Sequence, residues 1–447
     1  MKRLLTISTA LAALMLSLTV GADAPNVFAI RGARIVTAAG APIDSGTVVV
    51  RRGVIDAVGA SVDVPSDAEV IDGKGLTVYP GLIDLGNTKV AERPTPEQPQ
   101  NIKTTAELER WKREHILQPQ MRAADALKAD DPELTKLAAA GITSVLALPS
   151  GEVISGQSAL VNVAAAPDEP QIGDVVAPRK SIFVVKTPVA LHISFPSRPK
   201  MASAAYPESL MGVIAFVKQS FLDAQHYRDV AAHAGMRQAD DPALEALQPA
   251  LARKLPVAFE ANQAREILRA LKMARELNLD PIIVGGRDAE EVAADLKAQS
   301  ARVIFSLDYP QRSRALAPEA DEPVRALRGR ADAPKVPQAL AKAGVAFAFE
   351  SGGLAEPKDF VRNAAKAVKA GLTEDAAVRA LTVGAATIAG VASRFGSIEK
   401  GKIANLIVTD GNLFDEKTVV KRVFVEGRAV SLDVPPPPAG RGRGRGN

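Results

Sequence analysis

The chain has 447 residues, of which 47% are hydrophobic, with a net charge of only +4 and no cysteine. That composition supports a sizeable core, excludes disulfides and thiolate metal sites, and supplies no strong field to draw nucleic acid or an acidic partner. One α/β barrel takes up about 250 residues, so a barrel plus one smaller module is the natural arrangement.

At the N-terminus, Lys2 and Arg3 precede the apolar run LLTISTALAALMLSLTV and the small residues GADA, the pattern of a secretory signal peptide over residues 1–22. The alternative is an uncleaved anchor, for which this run is short against the ~20 residues of a membrane span. The expectation is an exported protein, periplasmic or secreted, with no membrane span after cleavage. Residues 26–79 then read as short Val- and Ile-rich strands (FAIRGARIVT, GTVVV, GVIDAVGA, AEVIDGKGLTVYP) broken by turns. Residues 91–120 read as an exposed loop leading into a helix around Trp111. From Gly81 to 397, apolar strand runs (SVLAL, PVAFE, DPIIVG, RVIFSL, VAFAFE) alternate with helical stretches, which implies βα units and a parallel sheet. In the helix at 264–278, Ile267, Leu268, Leu271 and Ala274 recur at helical spacing, and Asn278 stands where the helix should end. Strands return at ANLIVTD and VVKRVFVEGRAV, so residues 26–79 and 398–432 are expected to form one β-sandwich around a barrel at 80–397. The tail 433–447, rich in Pro, Arg and Gly, has little to bury and should be disordered. Its three arginines are read as a solvated end, with no nucleic-acid role.

Two phrases carry a family resemblance. VYPGLIDLGNTKV at 78–90 opens the barrel, and ALTVGAATIAGVASRFGSIEKGKIANLIVTDGN at 380–412 closes it, with Gly396 and Gly401 permitting the tight turns back into the last strands. Both resemble the amidohydrolase superfamily, and ISGQSALVNV with ALHISFP points more narrowly to its exported imidazolonepropionase-like members. The resemblance implies an α/β fold: a (β/α)8 TIM-type barrel with a small β-sandwich made by both chain ends. It also implies hydrolysis of non-peptide carbon–nitrogen bonds, such as those of cyclic amides, by a water bound to zinc or another divalent metal. The ligands the family would use are a His-x-His pair after the first strand, a histidine after each of strands five and six, and an aspartate after strand eight. Here those positions carry Gly86 and Thr88, Glu260 with Asn262 close behind, Gly285, and Gly352. Glycine has no side chain to coordinate with, and a catalytic zinc usually needs three protein ligands. No metal cofactor is therefore expected, and hydrolysis should be weak or absent. The alternative is a non-catalytic protein that binds a small polar molecule or partners an active paralogue, as a homo-oligomer or with a related amidohydrolase.

What remains at the strand ends is acidic and polar. Glu260 and Glu350 are the nominated acid/base pair, a role two carboxylates can fill without metal if their environments differ. Asn262, Arg287 and Lys89 are the nominated substrate-binding residues, and Arg287 and Lys89 are equally able to neutralise a salt-bridged rim. Asp84 and Asp308 are expected nearby, and an all-oxygen site for Mg²⁺ or Ca²⁺ is the alternative use of these carboxylates. Ser155 and Ser158 lie in a Ser/Gly-rich loop that shapes the pocket or carries a nucleophile. The chain has only four histidines. His192 alternates with apolar residues as a core strand residue does. His226 and His233, seven apart, read as a surface pair, and His115 falls in the first helix.

Overall fold

The computed structural model describes residues 27–92, 101–128, 132–149, 151–165, 182–197, 199, 206–233, 239–317 and 319–433. The expected signal peptide and the Pro/Arg/Gly tail from residue 434 lie outside the described residues. In chain order the strands are β1 (Val27–Ile35), β2 (Ile43–Arg51), β3 (Val54–Gly59), β4 (Glu69–Asp72), β5 (Thr77–Pro80), β6 (Leu82–Asn87), β7 (Ile142–Ala147), β8 (Ile154–Gln157) and β9 (Ala159–Ala165). They continue as β10 (Ile182–Lys186), β11 (Leu191–Ile193), β12 (Val257–Ala261), β13 (Pro281–Gly285), β14 (Arg302–Ser306), β15 (Phe347–Glu350), β16 (Leu406–Thr409), β17 (Val420–Val425) and β18 (Arg428–Ala429). No described helix is long and apolar enough to cross a membrane.

Both chain ends enter one sheet, ordered β18-β17-β16-β5-β1-β2-β3, with β4 paired to β1. By hydrogen bonding this is a single rolled sheet and not the two stacked sheets of the expected sandwich. Phe28 of β1 and Phe424 of β17 show why. The two strands are three places apart, about 14 Å across a flat sheet, yet their rings stack with centroids 4.7 Å apart. The free edge of β3 meets the run into β16 through Ile55 N–H to Lys402 O at 2.8 Å and Ala404 N–H to Gly53 O at 2.9 Å. Rolling lets one sheet bury its own apolar face around Ile30, Val48, Val78 and Leu406.

The middle of the chain winds strands around a second core. Ile83, Leu85, Leu146, Leu160, Ala258, Ile282, Val284, Ile304 and Ala348 form one interior cluster, closed at one end by Ala385, Ala386 and Phe395. The alternate residues, among them Leu82, Val145, Val257, Phe259, Ile283, Val303 and Phe349, face outward with helix residues such as Ile267, Leu271, Leu340 and Phe360. A strand with helices on one side and the barrel interior on the other is buried on both faces, so these strands read as unbroken apolar runs.

The ring is not one continuous ladder. Its strands fall into the sheets β10-β9-β7-β6 and β15-β14-β13-β12-β11-β8. The expectation of eight parallel strands is corrected here: β9 runs antiparallel to β7, and β8 antiparallel to β11. No helix separates β7 from β9, and without a long crossover the chain has to return antiparallel.

The helix Ala264–Glu276 begins at a capping box in which Glu266 accepts from the N–H groups of Asn262 (3.0 Å) and Gln263 (2.9 Å). Ile267, Ala270, Leu271, Met273 and Ala274 are buried, and Asn278 adopts a φ of 54° just past the helix end. Leu268, expected on the core face, is 42% exposed because it sits at the outer edge of the apolar stripe.

Candidate functional site

Strands β12 to β15 run parallel and in register, so their C-terminal ends finish side by side. A cavity of about 280 Å³ opens there, and Thr88, Glu260, Asn262, Arg287, Asp308 and Glu350 are among the residues that line it. The turns that present these groups are tied together. Gly286 N–H bonds Ala261 O at 2.9 Å and Asp288 N–H bonds Asn262 O at 2.8 Å, linking the exits of β12 and β13. Asn262 is also held by the Glu266 cap of the helix that follows it. Beside them Tyr309 anchors the exit of β14, its hydroxyl donating to Asn363 O at 3.2 Å.

The two nominated carboxylates have different surroundings. Glu260 is exposed at the wall, whereas Glu350 is 5% exposed at the floor. Burial pushes the Glu350 carboxyl well above the usual carboxylate range, and the negative charges of Asp84 and Glu260 push it the same way, against a hydrogen bond from Ser306. Glu350 therefore favours its protonated form. Asp84 is wholly buried beneath, and burial raises its carboxyl too. It accepts from Ser351 N–H at 2.8 Å, Ser351 Oγ–H at 2.7 Å and Gly86 N–H at 3.1 Å. Gly352 N–H to Gly86 O at 3.2 Å runs beside this cluster. Together they bridge the gap between β15 and β6 that no ladder crosses.

Lys89 stands apart from the other nominated residues. Asn87 Oδ1 accepts from the N–H groups of Lys89 (2.8 Å) and Val90 (3.2 Å), a side-chain-closed turn that carries the chain away from the mouth. Lys89 Nζ lies 3.2 Å from Glu133 and donates to Ala355 O at 2.7 Å, beside a smaller neighbouring recess. It does not line the cavity.

The histidines are elsewhere. His192 is buried on β11 in register with Ala258, which belongs to the interior cluster below the cavity. Across the antiparallel pair with β8 it faces Gly156, with Ser155 and Ser158 close by along the chain, and Ser158 Oγ donates to Ala190 O at 3.3 Å. His226 is exposed, and His233 lies past the end of the helix Leu210–Ala231 with Nδ1 2.6 Å from Asp229 O. His115 contacts Trp111 O at 2.7 Å.

At the positions where the family resemblance places ligands, Gly86, Gly285 and Gly352 present no side-chain donor atoms, and among the described residues no group of three or more His, Asp or Glu side chains is arranged to hold an ion. Ser306 and Ser351 were not foreseen. Each gains its meaning only through a neighbour on another strand, and no spacing along the chain marks that.

The amidohydrolase family model matches residues 288–430. No curated protein matches the chain. Among solved structures, an amidohydrolase from Thermotoga maritima MSB8 is 24% identical with a TM-score of 0.72, the match covering 90% of this chain and 99% of that one. A putative prolidase from Bifidobacterium longum is 18% identical with a TM-score of 0.53, covering 91% and 95%. A prolidase complexed with N-methylphosphonate-L-proline is 21% identical with a TM-score of 0.53, covering 90% and 99%. The resemblance is borne out in the fold, which is the TIM-barrel-type α/β fold of the amidohydrolases, and in the closing phrase at 380–412, which lies inside the family match; the opening phrase at 78–90 lies outside it.

Proposed function

We propose that this protein is an exported amidohydrolase-type hydrolase whose strand-end cavity binds a small polar molecule without the family's metal, with slow turnover of carbon–nitrogen bonds or none. The observation that carries the reading is the pairing, in one cavity, of the exposed Glu260 with the buried Glu350. Two carboxyl groups whose surroundings separate their affinity for protons can divide the work of acid and base. Glu350 would hold a proton at the floor, and Glu260 at the wall would accept one. Asn262 and Arg287 would orient the ligand, and a cavity of about 280 Å³ suits a cyclic amide or a molecule the size of a dipeptide. The amidohydrolase and prolidase names among the structural neighbours support amide-bearing compounds as the first to screen. We further propose that the rolled sheet and the barrel are the chain's two domains.

The test compares wild type with Glu260→Ala and Glu350→Ala in binding and turnover of cyclic amides and proline dipeptides, with and without added zinc. Loss of binding or turnover in both variants supports the reading. Turnover that requires zinc, or ligand binding indifferent to both substitutions, overturns it.

A further inference from the structure

The three glycines at the expected ligand positions are not empty places. A Cβ built on Gly86 would overlap Glu350 Oε2 and lie 2.8 Å from Glu350 Cβ. On Gly285 it would lie 2.6 Å from Asn262 Oδ1, and on Gly352 it would lie 2.7 Å from Ser306 Oγ. Real Cβ atoms essentially never approach a heavy atom within 3.0 Å. Each glycine's nearest neighbour is thus a polar side chain from another strand or strand exit, and that side chain stands where the glycine's own would emerge.

We infer that this is a refilled centre: Glu350, Asn262 and Ser306 stand in the space at Gly86, Gly285 and Gly352, and at Gly86 the Cβ and carboxyl of Glu350 together bar a restored ligand. The inference rests on the proposed metal-free reading and on the ligand positions that the family resemblance implies. It adds that the loss is built in. A histidine placed at 86 alone would meet the Glu350 side chain, so one substitution cannot recover the metal. The floor is a surface of hydrogen-bonding groups, suited to the amide or carboxyl groups of a ligand.

Double-mutant cycles on the full chain test this, read by thermal melting. Gly86→Ala should lower the melting temperature by several degrees. In a Glu350→Gly background, which removes the Cβ as well as the carboxyl, most of that loss should vanish. A second cycle, Gly352→Ala with Ser306→Gly, covers the case where Glu350→Gly fails to fold. The backbone strain of a side chain at the Gly352 φ of 56° is common to both of its backgrounds and cancels. Zinc content after equilibrium dialysis is measured alongside. Coupling in either cycle that folds, with no retained zinc in wild type or Gly86→His, supports the inference. Equal glycine penalties in both backgrounds, with wild type still free of zinc, overturn the refilling and leave the metal-free reading standing. Tightly held stoichiometric zinc in wild type overturns both.

Discussion

Asp84 gives the sharpest test of how the barrel is held shut. Its carboxylate is fully buried and joins β6 to the residues after β15, where no backbone ladder runs. In Asp84→Ala the N–H groups of Ser351 and Gly86 both lose their acceptor, while Ser351 Oγ keeps Gly86 O at 3.2 Å. Each stranded buried donor costs about 1–3 kcal/mol, so the change should cost roughly 2–6 kcal/mol. An unfolding entropy of about 2.1 cal/mol/K per residue gives ~0.9 kcal/mol/K over the 447-residue chain, and the melting temperature should fall by roughly 2–6 °C. Asp84→Asn is the control. Its amide oxygen can take the same two N–H groups, and its NH₂ can donate to Ser351 Oγ, whose own hydrogen turns to Gly86 O. The asparagine variant should therefore cost less than half of what the alanine variant costs. Differential scanning calorimetry of the three proteins decides the matter. If Asp84→Ala melts within a degree of wild type, or Asp84→Asn is as damaging as Asp84→Ala, the latch does not hold this seam.

The other predictions concern pH, ligand and sheet. Burial raises the folded-state value of the Glu350 carboxyl, so the unfolded chain releases that proton first, from about pH 4.3 upward. Stability from this group is complete below that point and is lost as pH rises toward the raised folded value, with Asp84 adding in the same sense. Glu350→Gln should flatten the decline in melting temperature above that pH, and parallel curves for the two proteins would count against a buried neutral acid. Arg287→Ala should weaken any ligand found in the cavity, whereas Lys89→Ala, outside its lining, should leave affinity within about twofold by calorimetric titration; the reverse ranking would misplace the ligand. Deleting residues 402–430 should yield aggregated protein, since it strips β16 from β5 and bares Val78. A soluble, cooperatively melting truncation would show that the N-terminal strands stand alone.

Much of this fold was legible because its strands are buried on both sides. PVAFE and DPIIVG are apolar without alternation, which a half-exposed strand would not be, and the helix between them carries its own stripe and cap. The antiparallel β8 and β9 were not legible, since a short apolar run does not state its direction. The rolled sheet escaped as well, because Phe28 and Phe424 lie at opposite ends of the described chain and meet only in the folded molecule. At the site, Glu260, Asn262, Arg287 and Glu350 could be nominated because residues at strand ends converge in a barrel. Lys89 obeyed the same rule by position but was turned aside by the Asn87 side chain. The glycines spoke of absence in the sequence, and only the contacts at Glu350, Asn262 and Ser306 give that absence a shape.

The pairing of β5 with β16 also sets a clock. Thr409 Oγ1 bonds Thr77 O across a separation of 332 residues, so one side of β5 has no partner strand until that much more chain has been made. At about 5–20 residues per second, that is a wait of roughly 20–60 s, while a hairpin closes in microseconds. During that interval β1 and β2 can pair, but the edge of β5 and the apolar face around Val78 stay open. An open edge is what a neighbouring nascent chain or a holdase would capture. Yield of folded protein should therefore respond to synthesis rate and chaperone supply far more than the stability of the finished molecule would indicate.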